Sequence, residues 1–422
     1  MRFDRALLRL TAGSLKLVAR GSGYYYAWLA FLGLLIAIGA VGYARQLDEG
    51  LIVTGLRDQV SWGYYIGNFT FLVGVAAAAV ILVIPAYIYH WGPIKEIVIL
   101  GELLAIAALA MCMLFVLVDV GRPDRLSHIL PILGNLNVPN SLLAWDVLVL
   151  NIYFFLNLTV ATYLLVSLYR GRSPNTYVFM PLVLFSIPMA VTIHTVTAFV
   201  YNGLPGRPFW NASILAPRFL ASAFCSGPAI MLILLQILRK TAKLDLKIEA
   251  IWKIAELMAY AMFINLFFLA AEVFKEVYSD TQHFRHMRYL FFGLEGHNAL
   301  VGWAWVSVVC SVGAFFLFLI PATRKNVITL NLGCAMIWCG VYIEKGIGLV
   351  VPGFTPSTLG EIYEYNPTMN EFLVGCGIFG VGALVFTCMA RVAIAISNGE
   401  LALKPGLAQV AAGAPDGPAR AP

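Results

Sequence analysis

Ten long apolar runs divide the chain, and they constrain its fold more strongly than any other feature of the sequence. Each run is long enough for an α-helix to cross about 30 Å of hydrocarbon, which takes about 20 residues. Their approximate positions are 24–43, 64–89, 97–120, 143–169, 177–201, 211–238, 251–274, 298–320, 327–351 and 372–395. A transmembrane β-barrel would show alternating segments of about 10 residues instead. The pattern therefore predicts an all-α polytopic membrane protein with about ten transmembrane helices.

The composition excludes an ordinary soluble enzyme, since 60% of the residues are hydrophobic and only 12% are charged, against roughly 25% charged residues in soluble domains. The seven cysteines lie inside apolar runs and form no CxxC pair, so the sequence predicts no iron–sulphur cluster in this chain. The net charge of +6 is spread over the connecting loops. Because no dense block of Lys and Arg occurs, no nucleic-acid partner is expected.

The basic residues are unevenly divided between the two ends of the runs. Counting spans along the chain places 18 of the 28 Lys and Arg residues on the side that holds both termini. The positive-inside rule therefore predicts a multi-pass protein of the cytoplasmic (inner) membrane with both termini in the cytoplasm. The opposite side carries the longer loops, which are candidates for docking an extracytoplasmic partner.

Several polar side chains lie at one depth in four consecutive runs. An ionisable group at the centre of a membrane helix costs about 2.5–3.5 kcal/mol on insertion scales, so each needs an explanation. Helix direction places these residues in the outer third of runs two to five: Tyr65, Asn68, Asp119, Trp145, Asp146 and His194. Carboxyl and imidazole groups can accept the protons of a quinol, so the set predicts a quinone pocket inside a helix bundle. The alternative for Asp119 and Asp146 is an interfacial position at a helix end.

A second group of charged residues admits two interpretations. Glu272 and Lys275 lie near the outer end of run seven, and they belong either to a structural ion-pair network or to a proton path. Glu102 and Glu256 lie near the opposite end of their runs. They are either proton-relay residues or boundary residues that extend toward the interface.

The six histidines argue against haem. Only His194 lies well inside an apolar run, so a pair of facing histidines is not available to hold a b-type haem. His283 and His286 are expected to be surface residues of a loop.

Four sequence motifs resemble those of the NrfD/PsrC family of quinone-interacting membrane subunits. They are WGYYIGNFTFLVGVAAAA (62–79), DVGRPDRL (119–126), IPMAVTIHTVTAFVYNGLPGRPFW (187–210) and APRFLASAFCSGPA (216–229). The resemblance covers about runs two to nine. With an added run at each end, the chain is similar to the ten-span branch of the family, and most of all to its DsrP members.

The predicted domain organisation combines the composition with this resemblance. The sequence predicts an amphipathic cytoplasmic segment at 1–23 and a disordered cytoplasmic tail at 399–422. Between them the resemblance implies a first added span with its outer loop (24–63), a first four-helix bundle (64–210), a second four-helix bundle (211–351), and an outer loop with the last span (352–398). It also implies a quinone pocket at these residues: Tyr65, Asn68, Asp119, Arg122, Asp146 and His194. Arg122 would hold Asp119 or the quinone headgroup.

The predicted function is an integral membrane subunit that exchanges electrons between menaquinone or ubiquinone and an extracytoplasmic iron–sulphur partner. The resemblance implies a chain without haem or iron–sulphur cluster, embedded in lipid beside a periplasmic ferredoxin-like subunit and cytochrome c, cytochrome b and disulphide-reductase-like subunits. Proton transfer could accompany the reaction. The alternatives are a secondary transporter or proton-conducting channel, which would use broken spans near the midplane, and a structural membrane anchor.

Overall fold

The computed structural model of the chain describes residues 2–89, 91–95, 97–129, 133–242 and 246–403. In the part of the chain that it describes, the regular elements are all helices and no β-strand occurs, with one isolated bridge between Leu294 and His297. The all-α prediction is confirmed. Most of the predicted tail, from residue 404 onward, lies outside the described residues.

Sixteen α-helices follow one another along the described residues. They are α1 Arg2–Ala19, α2 Gly23–Glu49, α3 Tyr64–Ala76, α4 Ala78–Val83, α5 Gly92–Lys95, α6 Val98–Asp119, α7 Leu142–Tyr169, α8 Thr176–Asn202, α9 Leu215–Thr241, α10 Ile248–Ser279, α11 Gln282–Phe291, α12 Val301–Leu319, α13 Pro321–Lys325, α14 Val327–Lys345, α15 Ile347–Phe354 and α16 Met369–Ser397. Across the described ranges, nine spans are long and apolar enough to cross a membrane. The polytopic prediction is confirmed.

The second apolar run is not one continuous α-helix, contrary to the prediction. The helix α3 ends at Ala76, α4 follows it, and a π-helical turn covers Ile84–Ile88. Pro85 lies in this turn and has no backbone N–H to donate to the preceding turn, so the regular ladder cannot pass through it. The second span is therefore built from three short pieces.

The spanning helices form two bundles and a flanking pair. The first bundle packs α3 and α4 with α6, α7 and α8, and the second packs α9, α10, α12 and α14. The two bundles meet where α9 contacts α3, α4 and α8. The flanking helices α2 and α16 pack against each other, and α16 also packs on α6. Gly39 of α2 lies so close to α16 that an added Cβ would be 2.5 Å from the Cα of Gly377, which is the close approach that small residues allow between membrane helices.

Helix direction gives the molecule two faces. The terminal side holds α1 and the end of α16, where Leu10, Tyr169 and Ile396 form a small buried cluster. The opposite face, here called the loop side, holds the connections at 50–63, 120–141, 203–214, 280–300 and 355–368.

An aromatic cluster closes the loop side above the seam between the bundles. The ring of Trp62 stacks 5.7 Å from that of Trp210, and Phe354 lies edge-on at 4.9 Å from Trp210. The indole of Trp210 is fully buried and donates to the carbonyl of Leu349 at 2.9 Å. Because these rings come from two different connections and from the end of α15, they fix the loops to one another and to the top of both bundles.

Candidate functional site

Two carboxyl groups of the first bundle lie near one tyrosine hydroxyl at its loop-side end. Asp119 is the last residue of α6, and Asp146 lies in the second turn of α7. Both lie within electrostatic range of Tyr201 on α8. The carboxyl atom Oδ1 of Asp119 is buried and has no hydrogen-bond partner among the described residues. Together with Tyr65, these residues are called the outer acidic cluster.

The neighbouring polar side chains hold this cluster in place. The hydroxyl of Tyr65 donates to Gln46 at 2.7 Å, and the amide of Gln46 donates to the carbonyl of Val118 at 2.6 Å. Gln46 is buried in α2, so one amide ties the flanking pair to α3 and α6. Asp146 accepts a hydrogen bond of 2.7 Å from Thr197 of α8.

Two hydrogen bonds lead from the first bundle toward the second. The hydroxyls of Thr70 and Tyr201 are 2.5 Å apart, and Thr70 also donates to the carbonyl of Ile66 at 2.8 Å. Since a hydroxyl has one proton to donate, Tyr201 is the donor of the pair. Asn68 accepts from Tyr342 of α14 at 2.9 Å, so this predicted pocket residue joins α3 to the second bundle.

His194 faces a small internal cavity on the seam between the bundles. The residues that line this central cavity are Thr70, Phe71, Gly74, His194, Phe219, Ser222, Ser226, Val341 and Lys345. Nδ1 of His194 lies 2.6 Å from the carbonyl of Ala190, and because a carbonyl only accepts, Nδ1 carries the proton. Nε2 is then the free ring atom, and it is buried without a hydrogen-bond partner in the described part of the chain. The cavity has room for about one water molecule.

A buried ion network begins on the opposite wall of the central cavity. Arg218 of α9 pairs with Glu272 of α10 and, at 2.7 Å, with Glu344 of α14. Lys345 lies 3.5 Å from Glu344, and Asn265 donates to the same carboxylate at 3.2 Å. The two cations and two carboxylates balance in charge, and removing one partner of such a buried pair costs about 3–5 kcal/mol. The name ion network is used below for Arg218, Glu272, Glu344 and Lys345.

The ion network continues to the loop side through a short helix. His283 of α11 lies 3.9 Å from Glu272 and 3.6 Å from Glu276, and Glu276 lies 3.0 Å from the exposed amine of Lys275. His286, one turn further, lies 2.7 Å from the carbonyl of Pro352. The expectation that both histidines are surface residues of a loop is wrong, since both are buried in a helix. Burial lowers the pKa of each, and for His283 the neighbouring glutamates oppose that effect.

Four other predicted residues lie apart from this arrangement, two of them on the loop side. Arg122 is exposed and pairs with Asp124 at 2.9 Å, so it does not hold Asp119 as the resemblance implied. The hydrogen bond from Arg122, together with its charge, lowers the pKa of Asp124. Trp145 is half exposed and donates to the carbonyl of Pro139 at 3.0 Å.

The predicted proton-path glutamates near the terminal side lie in different bundles. Glu102 is buried in α6, and its Oε2 has no hydrogen-bond partner among the described residues. Glu256 of α10 is partly exposed and accepts from Tyr260 at 3.0 Å and from Lys253 at 3.3 Å. The structure therefore does not join these two residues into one ladder.

Sequence reasoning missed several residues that link neighbouring helices. Arg218 was counted with the loop-side charges, whereas the structure buries it one turn inside α9. A charged residue within the sixth apolar run was the available signal. Gln46, Thr70 and Tyr201 carry no such signal, because uncharged polar residues are common near the ends of membrane helices.

Comparison with known proteins was consistent with this architecture. The family profile described as "Polysulphide reductase, NrfD" matches residues 52–355. The chain is 26% identical to a protein of Halobacterium salinarum named as a dimethyl sulfoxide reductase membrane subunit, over 85% of this chain and 88% of that protein. It is 22% identical to a selenate reductase subunit of Mesobacillus selenatarsenatis, over 86% and 92%. It is 23% identical to an Hdr-like menaquinol oxidoreductase integral membrane subunit of Archaeoglobus fulgidus, over 88% and 93%.

Proposed function

The chain belongs to the NrfD family, and on this premise we propose that it is the quinone-reactive membrane subunit of a multisubunit oxidoreductase complex. In this role it exchanges electrons between a membrane quinone and an iron–sulphur protein docked on the loop side. The observation that carries the proposal is the outer acidic cluster, where Asp119 and Asp146 of one membrane bundle lie near the hydroxyl of Tyr201 and Asp119 also lies near that of Tyr65.

The chemistry of the cluster suits a quinone headgroup. Tyr65 and Tyr201 supply hydroxyl groups, while Oδ1 of Asp119 is buried without a partner in the described residues and is available to accept a proton. A bound quinol supplies two electrons and two protons. The central cavity is too small for an aromatic ring, so the proposed headgroup site is the cluster itself, and His194 acts one step further in.

Asp146 and His194 are proposed to pass protons away from the headgroup site. Thr197, the hydrogen-bond partner of Asp146, lies three residues after His194 on α8 and therefore on the same helix face. The free Nε2 of His194 faces the central cavity. One water there could bridge it to Lys345, which lines the opposite wall.

The proposed release path runs through the ion network to the loop side. From Lys345 it follows Glu344 to Glu272, two carboxylates that Arg218 holds together without giving up a proton itself, and then His283 leads to Glu276 and Lys275 at the surface. This route uses two of the residues predicted for a proton path, Glu272 and Lys275. Glu102 and Glu256 stay predicted residues of a separate uptake path from the terminal side.

The quinone and the partners are proposed from the relatives and the resemblance. The name of the Archaeoglobus relative specifies menaquinol, which supports menaquinone over ubiquinone. The resemblance to the DsrP branch supports a periplasmic ferredoxin-like iron–sulphur partner, with cytochrome c, cytochrome b and disulphide-reductase-like subunits. The basic excess on the terminal side supports the inner membrane with cytoplasmic termini. The aromatic cluster supports a rigid docking surface for the partner.

The test is quinol-dependent reduction of the partner by the assembled complex. In the variant His194→Leu, proton transfer through the central cavity is blocked, so turnover should fall by about 100-fold or more while assembly is retained. Thr195→Val is the matched control, since Thr195 lies on the same helix but outside the cavity lining. Turnover at the wild-type rate in an assembled His194→Leu complex would favour a structural anchor instead.

A further inference from the structure

A lateral groove lies between the interrupted second span and the second bundle, on the opposite face of α9 from the central cavity. It has a volume of about 750 Å³. Its walls are Ile84, Pro85, Tyr89, Trp91, Pro217, Leu220, Ala221, Phe224, Lys253, Leu257, Ala261, Ile264 and Phe268. Apart from Lys253 and the aromatic residues near it, the lining is apolar. The site described above uses none of these residues.

The groove is long, narrow and polar at one end only. Along α10 it extends from Lys253 to Phe268, which is a rise of about 22 Å. Lys253 marks the terminal-side end, where Tyr89 and Trp91 also lie. Tyr and Trp at such a level are typical of the membrane interface. A ligand that matches this shape has a polar head at the interface and a long apolar chain within the membrane.

The charge around the polar end favours an anionic head. Glu256 is the acceptor shared by Lys253 at 3.3 Å and Arg324 at 3.6 Å, so one carboxylate faces two cations. Lys325 lies nearby, 5.4 Å above the ring of Trp252. In the described residues, the terminal-side ends of α9 and α10 also carry Arg239, Lys240, Lys247 and Glu249. The cations exceed the carboxylates, and basic pockets between membrane helices are sites for anionic lipid headgroups.

We propose that this groove binds one anionic phospholipid, with its headgroup at Lys253 and an acyl chain along α10 toward Phe268. A membrane helix of a partner subunit suits the groove less well. Such a helix is apolar over the depth of the membrane, so it would leave the cations at the terminal-side end of the groove without a matching charge. An uncharged quinone headgroup would gain nothing from the excess of cations. The π-helical turn at Ile84–Ile88 forms part of the wall, so the break in the second span creates the space.

The experiment is native mass spectrometry of the purified full-length chain after delipidation. The chain is titrated with phosphatidylglycerol and, separately, with phosphatidylcholine, whose zwitterionic headgroup has no net charge. We expect one tightly retained phosphatidylglycerol and weaker binding of phosphatidylcholine. The variant Lys253→Gln should bind phosphatidylglycerol about fivefold more weakly, which corresponds to about 1 kcal/mol for one interfacial lysine. Lys275→Gln at the other end of α10 is the control and should bind like the wild type.

A second pair of variants tests the apolar part of the groove. Ala261→Phe fills it, whereas Ala270→Phe adds the same ring to the exposed face of α10. Only Ala261→Phe should lose the retained lipid. If Ala261→Phe fails to fold, thermal unfolding of the wild type tests the proposal instead. Phosphatidylglycerol should then raise the thermal midpoint of the wild type more than phosphatidylcholine does. Equal effects of the two lipids, retention by Ala261→Phe, or recovery of a quinone from the groove would overturn the proposal.

Discussion

His194 and Lys345 face one cavity from different bundles. Nε2 of His194 is a free acceptor, while the amine of Lys345 is a donor that Glu344 already holds at 3.5 Å. A single water between them would therefore donate a hydrogen bond to Nε2 of His194 and accept one from the amine of Lys345. At the scale of residues, the seam between the bundles depends on this donor and acceptor and on the hydrogen bond from Tyr342 to Asn68.

The buried histidines of α11 predict a pH dependence of stability. Burial lowers the pKa of His286 below its ordinary value, which is about 6.5. His286 therefore binds a proton more readily in the unfolded chain than in the folded one. Its contribution to stability is fully present above about pH 6.5 and is lost as the pH drops toward the folded-state pKa. The thermal midpoint of the purified protein should be lower at pH 5.5 than at pH 7.5. His283 contributes in the same direction.

The variant His286→Asn isolates this effect. An amide can still donate to the carbonyl of Pro352, but it does not titrate, so the drop in thermal midpoint should become smaller. His128→Asn is the control, since His128 is exposed on the loop side. An equally steep drop in His286→Asn would show that another group causes the pH dependence.

The sequence predicts how deep a polar residue lies in the membrane better than it predicts which residue is its hydrogen-bond partner. Asp146 and His194 were placed at one level by helix direction alone, and the structure adds Thr197 as the bonded neighbour of Asp146. The pairing of Arg218 with Glu272 and Glu344 depends on how three distant helices pack. No periodicity within one run contains that information. For the same reason the resemblance offered Asp119 or the quinone headgroup as the partner of Arg122, whereas in the structure Arg122 pairs with Asp124, two residues away.

At the scale of elements, the long helices follow directly from hydrophobic length. The eighth and tenth runs, for example, appear as α12 and α16 with ends shifted by a few residues. Hydrophobic length does not predict the breaks in the second run, because its apolar residues are continuous while its helical backbone hydrogen bonds are interrupted. Pro85 indicated a break, but the additional helix end at Ala76 depends on packing against α6 and α9.

The contact between α2 and α16 predicts a sharp size limit at Gly39. In Gly39→Leu the side chain would meet the backbone of Gly377, where even a Cβ lies 2.5 Å from the Cα. The flanking pair must then separate, and we expect a loss of about 1–3 kcal/mol in stability. Thermal unfolding in detergent measures this. The control Gly33→Leu lies on the same helix with open space around it. Equal midpoints for the two variants would contradict the close packing of α2 on α16.

At the scale of the whole molecule, the two bundles divide the proposed work. The first carries the outer acidic cluster, the second carries the ion network, and the central cavity lies where they meet. Asp119 and Asp146 are the proposed proton acceptors at the loop-side end of one bundle, and Lys275 is the proposed exit from the other. The aromatic cluster covers the seam on the side where the electron-accepting partner is proposed to dock.

This arrangement requires a defined orientation in the membrane. The variant Asp58→Cys places a thiol in an exposed loop-side position, and Ser173→Cys places one on the terminal side. In intact cells, a membrane-impermeant maleimide should label only Asp58→Cys. Labelling of Ser173→Cys alone would invert the orientation and place the proposed docking surface in the cytoplasm.

The central claim is that the outer acidic cluster binds a quinone, and the most direct measurement is a binding titration of the purified full-length chain with a menaquinol analogue. Quenching of tryptophan fluorescence should show saturable binding of one analogue per chain. Asp119→Ala should weaken binding by about tenfold or more, since it removes the free acceptor, while Lys253→Ala should leave it unchanged. Absence of saturable binding, or equal affinity in Asp119→Ala and the wild type, would contradict the account.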